Sequence, residues 1–325
     1  MSCVKLALGT MTFGESVFNP MVEKFINTFL DAGYDELDTA YVYNNGECER
    51  LLGEALANIG RHYKIATKVN PRISGKLDGD AAYKQVNESL QRMKLESVDT
   101  VFLHFPDPAT PVSSVLSAMQ DLYEKGKFKE LGLSNYPAWM VADVYHLCDK
   151  HDWVRPTVYE GIYNPLTRKA EAELNDALNY FGMRFYAYNP LAGGLLTGRY
   201  TQYEEAPEDG RFTHRPNYQG RYWKKAYFEA MSIINEAVKK YGISIVDATY
   251  RWLAYHSMLD DSRGDAILIG ASKIEHLIQN MEAVRQGALP KEVVEAFELA
   301  WQLTKGDSPE YFTLYKGNSS VGGKK

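Results

Sequence analysis

The 325-residue chain has few cysteines, no long apolar run and no surplus of positive charge. Its three cysteines, Cys3, Cys48 and Cys148, lie far apart, so we expect free thiols rather than disulfides or a metal site. No stretch approaches the ~18 uninterrupted apolar residues of a membrane-spanning helix. The net charge of −6 argues against a general nucleic-acid-binding protein, because no polycationic surface is implied.

The N-terminal residues lack the basic stretch, the apolar stretch and the small-residue cleavage site of a signal peptide. We therefore expect a cytoplasmic protein. With 45% apolar and 24% charged residues, the composition is that of a globular chain with ample material for a core. The length alone leaves open whether that core belongs to one large domain or to two small ones.

Short apolar runs recur about every 30 residues, which is the length of one strand plus one crossover helix. The runs are nearly continuous rather than alternating, as is typical of parallel strands that are buried on both faces. They predict strands at residues 4–8, 36–38, 65–69, 100–104, 130–133, 157–161, 184–188 and 266–270.

The segments between these runs carry apolar residues at helical spacing. In the first segment, Asn19 is predicted to cap a helix that has Pro20 at its first position and ends at Gly33. Three later segments are predicted to end at Gly60, Gly126 and Gly182. This alternation predicts a (β/α)8 barrel, a single domain over residues 1–316, with residues 317–325 as a disordered tail.

An open, doubly wound α/β sheet is the alternative fold. It is disfavoured because no G-x-G-x-x-G fingerprint follows the first strand. The interval between strands 7 and 8 is more than twice as long as the others. Its polar stretch at about residues 200–221 is predicted to be a surface loop over the barrel mouth.

Four polar residues are expected to meet at that mouth, where the carboxyl ends of barrel strands converge. Asp38, Lys68 and His104 lie at the ends of strands 2, 3 and 4, and Tyr43 follows Asp38 closely. Each alone has an ordinary structural explanation. Together, Asp38 would balance the charge of a buried Lys68, and the ammonium is expected to lower the pKa of Tyr43 and make it a better general acid.

The motifs around these residues resemble the aldo-keto reductases. They are LDTAYVYNNGE (37–47), ATKVNP (66–71), FLHFPD (102–107) and GLSNY (132–136). Three further stretches, 126–139, 157–164 and 184–200, resemble the branch that reduces aflatoxin dialdehyde and succinic semialdehyde. The resemblance covers about residues 5–312. It implies reduction of succinic semialdehyde, aromatic aldehydes or dialdehydes to alcohols by hydride transfer from NADPH.

The resemblance also implies roles for the four residues. Tyr43 would protonate the carbonyl oxygen, and Lys68 paired with Asp38 would depress the pKa of Tyr43. His104 would orient and polarise the carbonyl. The implied substrate residues are His104, Tyr218, Arg221 and Trp223, with Arg221 binding a carboxylate. The branch has a second arginine directly after Tyr-Phe, but here Thr313 follows Phe312.

For NADPH the resemblance implies contacts at the strand ends and in the insertion. Ser134 and Asn135 would hold the carboxamide, Tyr188 would stack on the nicotinamide, and the loop after strand 7 would wrap the pyrophosphate. The implied set is Asp38, Ser134, Asn135, Glu160, Tyr188, Asn189, Pro190, Leu191, Ala192, Gly193, Gly194, Leu195, Leu196, Thr197, Gly198, Arg199, Arg211, Ser272, Lys273, His276, Gln279 and Asn280. Glu160 and His276 stand where the branch usually has glutamine.

Two alternatives differ in class from an aldehyde reductase. One is a cofactor-binding regulatory subunit of the same fold, which can keep the four mouth residues; we expect the enzyme because little sequence precedes the first strand. The other is a metal-dependent barrel isomerase, which the lack of clustered carboxylates and histidines at strand ends disfavours. The expected partner is a small aldehyde, with no metal, nucleic acid or membrane, and a homodimer stays open.

Overall fold

Eight parallel strands close into a barrel in chain order, each pairing with the next and β8 pairing with β1. A computed structural model describes residues 4–204 and 210–317. The strands are β1 Lys5–Gly9, β2 Glu36–Asp38, β3 Lys64–Val69, β4 Val98–Leu103, β5 Phe128–Ser134, β6 Pro156–Ile162, β7 Arg184–Tyr188 and β8 Ala266–Ile269. The predicted (β/α)8 barrel is therefore confirmed, and the doubly wound alternative is wrong.

Helices follow the strands and pack around the barrel. They are α1 Met21–Asp31, α2 Glu47–Leu56, α3 Pro71–Ser74, α4 Gly79–Met93, α5 Val112–Glu124, α6 Ala138–His151, α7 Leu174–Phe181, α8 Arg211–His214, α9 Pro216–Tyr222, α10 Lys225–Lys239, α11 Ile245–Tyr255, α12 Ile274–Ala283 and α13 Lys291–Thr304. Single 3₁₀ turns cover Tyr43–Gly46, Lys169–Glu171, Ala192–Thr197 and Asp261–Arg263.

Two predicted helix boundaries are wrong. Asn19 does not cap α1, because its amide donates instead to Glu54 on α2, 3.1 Å away, and Pro20 directly precedes the helix. The second helix ends at Leu56 rather than near Gly60, and turn hydrogen bonds carry the chain onward. Gly126 follows the cap residue of α5, and Gly182 caps α7. Both have positive φ, as predicted.

Two apolar cores hold the barrel. The larger one lies between the strands and the surrounding helices. A smaller one is built from strand residues only, among them Ala7, Phe102, Val158 and Leu268, and fills the barrel interior. Gly132 makes room for it, because a Cβ on Gly132 would lie 2.4 Å from the Phe102 ring. The interior is therefore a packed core, and ligands can approach only from its ends.

The insertion after β7 is not the simple surface loop that its polar sequence predicts. Its described part forms α8 and α9, and Phe212 and Tyr222 on them are completely buried. Phe212 packs edge-on against Tyr200 and Trp223, with centroid separations of 5.3 and 5.2 Å. The aromatic residues therefore anchor the insertion to the barrel, while residues 205–209 lie outside the described part.

The described cysteines agree with the expectation of free thiols. Cys48 and Cys148 are free and buried, while Cys3 and the expected disordered residues 318–325 lie outside the described ranges. Within residues 4–204 and 210–317, no helix combines the length and apolarity that a membrane crossing requires. In the same residues, no cluster of three or more histidine, cysteine or acidic side chains could hold a metal ion.

Candidate active site

The four predicted mouth residues meet at the carboxyl end of the barrel. Asp38 is the last residue of β2, Lys68 lies one residue before the end of β3, and His104 directly follows β4. The Lys68 ammonium lies 5.9 Å from the centroid of the Tyr43 ring. The rings of Tyr43 and His104 are 6.1 Å apart and nearly perpendicular. The strand ends therefore bring a phenol, an ammonium, an imidazole and a carboxylate together.

Lys68 is completely buried and is surrounded by oxygen atoms. Its ammonium forms an ion pair with Asp38 and donates to the Thr39 carbonyl at 3.0 Å. A second carboxyl group, that of Glu160 on β6, lies 2.9 Å away. A buried ammonium is costly unless it is paired, and here two acidic groups face one cation.

Glu160 holds a proton in this cluster at neutral pH. Burial, followed by the charge of Asp38, raises the pKa of Glu160 to about 8. A protonated Glu160 donates a hydrogen bond to Asp38, which leaves the cluster with one negative and one positive charge. Among the described residues, Glu160 Oε2 has no hydrogen bond of good geometry although it is buried. This oxygen is the one that lies 2.9 Å from the Lys68 ammonium, so the Glu160 carboxyl group is held inside the cluster.

The loop that carries Tyr43 is held in an unusual backbone conformation. Asn44, Asn45 and Gly46 all have positive φ, at 47°, 56° and 88°. The Asn44 side chain stabilises this turn by donating to the carbonyls of Met11 and Phe13 at 2.9 and 2.7 Å. Asparagine and glycine tolerate this region better than other residues, so the sequence after Tyr43 fixes where the phenol points.

The pKa of Tyr43 is shifted in the direction opposite to the one predicted from Lys68. Burial raises the pKa well above its usual value of 10.0, and the charges of Asp38 and Glu160 add to the increase. Burial is the main cause, and the acidic groups that neutralise Lys68 add to it because the phenol meets a compensated rather than a free ammonium. Tyr43 therefore carries its proton at neutral pH.

His104 is neutral and has a defined tautomer. Burial, followed by the charges of Lys68 and Arg72, lowers its pKa well below 6.5. The Asn70 amide nitrogen lies 3.2 Å from Nδ1, and the Asn70 oxygen already accepts from the backbone N–H of Arg72 at 3.0 Å. The Asn70 nitrogen must then donate to Nδ1, so the ring proton sits on Nε2.

Asn70 was not among the predicted site residues. It directly precedes Pro71 in ATKVNP, and its position just past the end of β3 was the signal that could have revealed it. It is buried, and Gln85 on α4 holds its backbone through two hydrogen bonds of 2.8 and 3.1 Å. Asn70 thus orients His104, although it is not one of the four predicted mouth residues.

The residues expected around a nicotinamide are brought together on β5, β6 and β7. Ser134 pairs with Glu160 in the strand register. The Tyr188 hydroxyl donates to the Asn135 side-chain oxygen at 2.8 Å, and the Asn135 nitrogen donates to Ser134 and to the His104 carbonyl. These polar groups and the Tyr188 ring suit an aromatic ring that bears a carboxamide, and the individual contacts stay predictions.

The loop after β7, which is expected to wrap the pyrophosphate, is a series of tight turns with positive φ. Asn189, Ala192, Gly193, Gly194 and Gly198 have positive φ. The N–H groups of Ala192, Gly193, Gly194, Leu196 and Gly198 donate to oxygens of the same loop, which fixes its shape. Gly193 lies under the Tyr218 ring, where a Cβ would come within 2.7 Å of a ring carbon. Leu195 and Leu196 are buried, so their side chains anchor the loop, and contacts of this loop with a cofactor stay predictions.

The segment expected to bind the 2′-phosphate lies at the start of α12, after β8. Ser272 and Lys273 are exposed, with Lys273 at the cap position, and His276 is exposed in the first turns. Gln279 is half-buried and Asn280 is buried. The position of a cation and of free amides at a helix N-terminus suits an anion, and the individual contacts stay predictions.

Of the expected substrate residues, Tyr218 lies over Gly193 of the loop after β7, and Arg221 lies beside Tyr218. The guanidiniums of Arg211 and Arg221 lie 5.1 and 5.6 Å from the Tyr218 ring. Trp223 is engaged elsewhere, in the aromatic cluster of the insertion, and its N–H donates to the Tyr203 carbonyl. A substrate contact of Trp223 therefore stays a prediction.

Comparison with known proteins agrees with this geometry. The model of the aldo/keto reductase family matches residues 5–302. The chain belongs to the aldo/keto reductase family. It is 44% identical to "Aflatoxin B1 aldehyde reductase member 2" of Rattus norvegicus, over 94% of this chain and 86% of that protein. It is 42% identical to "Aldo-keto reductase family 7 member A3" of Homo sapiens, over 94% of this chain and 96% of that protein.

Membership of the aldo/keto reductase family makes this protein an oxidoreductase that uses a nicotinamide cofactor. The same comparison includes a more distant relative, "Oxidoreductase sirO" of Leptosphaeria maculans, at 31% identity over 94% of this chain.

Proposed function

We propose that this aldo/keto reductase reduces aldehydes to alcohols with NADPH, and that Tyr43 supplies the proton. The observation that carries the proposal is the meeting of the Tyr43 phenol, the paired Lys68 and the neutral His104 at one end of the barrel. The curated relatives named as aflatoxin B1 aldehyde reductases support an aldehyde as the substrate.

The proton step follows from the protonation states of this chain's residues. The Nε2–H of His104 would donate to the carbonyl oxygen and fix it beside the Tyr43 hydroxyl. The hydride would come from the reduced nicotinamide. Tyr43 would pass its proton to the oxygen as negative charge develops there, and the nearby Lys68 would limit the cost of the transient phenolate.

The choice of NADPH over NADH rests on cations near the expected adenosine end. Lys273 at the start of α12 and Arg211 on α8 offer an ammonium and a guanidinium for a 2′-phosphate. Ser134, Asn135, Glu160 and Tyr188 would hold the nicotinamide. Comparing the KM for NADPH with that for NADH tests this choice, and a Lys273→Met variant should narrow the difference.

A turnover assay distinguishes an enzyme from the alternative, a regulatory subunit of the same fold. Purified protein mixed with NADPH and 4-nitrobenzaldehyde should oxidise NADPH over many cycles. The Tyr43→Phe variant should lose about 10²–10⁴-fold in rate, as expected for removal of a general acid, while it still quenches NADPH fluorescence. Cofactor binding without any turnover in the unmodified protein would favour the regulatory subunit instead.

A further inference from the structure

Behind the candidate site, Glu49 on α2 carries a completely buried carboxylate. Its two oxygens have different partners. Oε1 accepts a hydrogen bond of 2.7 Å from the Thr67 hydroxyl, and Oε2 accepts one of 3.0 Å from Nη1 of Arg92. Thr67 directly precedes Lys68 on β3, and Arg92 lies in the last turn of α4. The carboxylate therefore joins a strand of the site to a helix that lies outside the barrel.

Arg92 contacts the loop of residues 39–46, which carries Tyr43, on both sides of the phenol. Nη1 donates to the Tyr41 carbonyl at 3.2 Å, and the guanidinium lies 4.0 Å from the centroid of the Tyr41 ring. On the other side, a Cβ on Gly46 would lie only 2.7 Å from the guanidinium carbon. Tyr41 comes two residues before Tyr43, and Gly46 comes three residues after it. One guanidinium thus lies against both ends of the segment that holds the phenol.

The position of the Arg92 guanidinium is fixed although it is the end of a flexible side chain. Besides Glu49 and the Tyr41 carbonyl, it has Glu88 as a partner, 3.7 Å from Nη2 and one turn earlier on α4. Glu88 also accepts a hydrogen bond from the Tyr41 hydroxyl. Arginine presents its donors in a rigid, planar fork, so these contacts define the plane on which the loop rests.

Stability alone does not explain this arrangement. A buried ion pair can often be replaced by apolar side chains of similar volume without loss of stability. Apolar side chains would pack between α2 and α4, but they could not bind the Tyr41 carbonyl or the Thr67 hydroxyl. A misplacement of about 1 Å at a catalytic group can cost about 100-fold in rate. The ion pair is therefore placed to set the distance between the Tyr43 phenol and the Lys68 ammonium.

We propose that Glu49 and Arg92 are positioning residues for proton transfer, which hold the Tyr43 loop against β3 and keep the phenol beside Lys68 and His104. This inference rests on the proposed role of Tyr43 as the proton donor. Both residues act through Tyr43 and not through a contact with substrate or cofactor.

The test compares Arg92→Met with the unmodified protein, with NADPH and 4-nitrobenzaldehyde as substrates. The kcat should fall by about 10–100-fold, because the phenol is displaced, while the KM for the aldehyde and the Kd for NADPH change by less than about threefold. Arg92→Lys keeps a charge beside Glu49 but loses the planar fork. It should lose less rate than Arg92→Met, and it carries the same test if Arg92→Met does not fold.

The matched control is Arg184→Met. Arg184 pairs with Glu130 at 2.6 Å, lies 5.8 Å from the centroid of the Tyr186 ring and has 27% of its side chain exposed, as Arg92 has. It begins β7, at the end of the barrel opposite the mouth. Arg184→Met should keep its kcat even where it lowers the midpoint of urea unfolding. An equal fall of kcat in both variants, or an unchanged kcat in Arg92→Met, would overturn the proposal.

A double variant shows whether Arg92 acts through the phenol. In the Tyr43→Phe background, Arg92→Met should lower the residual rate by less than about threefold, because a residue that positions a hydroxyl has no further effect once the hydroxyl is gone. A loss as large as the one in the protein that retains Tyr43 would overturn the proposal, since Arg92 would then act on the whole site.

Hydrogen exchange keeps the two proposals apart, because it needs no turnover. The backbone amides of residues 41–46 should exchange at least about tenfold faster in Arg92→Met than in the unmodified protein, and at the unmodified rate in Arg184→Met. If Tyr43→Phe keeps its full rate, the proposed proton donor is wrong, yet faster exchange in Arg92→Met would still support the hold on the loop. Unchanged exchange in Arg92→Met would refute it.

Discussion

Lys68 shows how a single buried charge determines the protonation states of the groups around it. The ammonium is completely enclosed, and it is held by Asp38, by the Thr39 carbonyl and by Glu160. Because two carboxyl groups share one cation, one of them keeps its proton. A glutamine at position 160 would offer an amide in place of that protonated carboxyl and would remove the titration.

This difference gives a pH-dependent prediction for Glu160→Gln. The pKa of Glu160 is about 8 in the folded protein against 4.5 when unperturbed, so the folded state binds the proton more tightly. The stability of the unmodified protein should therefore fall between about pH 5 and 8, by at most about 1.4 kcal/mol per pH unit from this group.

Urea unfolding at several pH values measures the effect. The stability of Glu160→Gln relative to the unmodified protein should increase as the pH rises to 8 and then level off. Glu282→Gln, at an exposed position on α12, controls for the loss of a surface carboxyl group. A constant difference between Glu160→Gln and the unmodified protein from pH 5 to 8 would show that Glu160 is ionised throughout.

Asn70 determines the tautomer of His104, which makes Asn70→Asp a sharp test. Aspartate can still accept the Arg72 N–H at the start of α3, so the fold should be kept. It cannot donate to Nδ1, and it would instead attract the ring proton there. We expect kcat/KM to fall on the order of 10²–10⁴-fold, and ¹⁵N spectra of the histidine to show a proton on Nδ1.

Asn70→Ser is the companion variant, because a hydroxyl can donate to Nδ1. It should recover part of the activity. If Asn70→Asp keeps full activity while its spectra show the changed tautomer, His104 does not donate to the carbonyl.

At the scale of an element, the loop after β7 depends on left-handed residues. Gly193 has a φ of 71° and lies against Tyr218, so Gly193→Ala introduces both backbone strain and a clash. Strain of about 1–3 kcal/mol in the loop should weaken NADPH binding by roughly 5–150-fold. Titration of protein fluorescence with NADPH measures this.

Gly306→Ala is the control, because its Cβ would meet open space and its φ is not positive. It should bind NADPH as the unmodified protein does. Unchanged affinity in Gly193→Ala would show that the loop does not hold the cofactor in the conformation described.

At the scale of the whole molecule, closure of the barrel depends on an interior filled by strand side chains. Gly132 on β5 faces Phe102 on β4, and the 2.4 Å separation leaves no room for a methyl group. Gly132→Ala should therefore destabilise the protein by about 1–3 kcal/mol through overpacking. The midpoint of urea unfolding gives the value.

Gly60→Ala provides the comparison for the same chemical change in open space. It should be neutral or stabilising by up to about 1 kcal/mol, since alanine restricts the unfolded chain. Equal midpoints for the two variants would mean that the barrel interior can relax around Phe102.

Much of the architecture could be predicted from the sequence because burial of strands and helices requires local patterns of apolar residues. Strands that are buried on both faces appear in the sequence as apolar runs, and the spacing of these runs predicted β1 to β8. Helix ends such as Gly182 were predicted because few other residues adopt positive φ easily. Asp38, Lys68 and His104 were found because polar residues at the ends of apolar strands are conspicuous.

The tertiary structure decided what depends on residues far apart in the chain. Asn19 binds Glu54 instead of capping α1, and Asn70 meets His104 from a neighbouring strand. The pKa of Tyr43 rises because the closed barrel buries the phenol and brings the charges of Asp38 and Glu160 close to it. The local sequence determines where strands, helices and turns form. Electrostatics at a site depends on distances and burial, and only the closed barrel sets those.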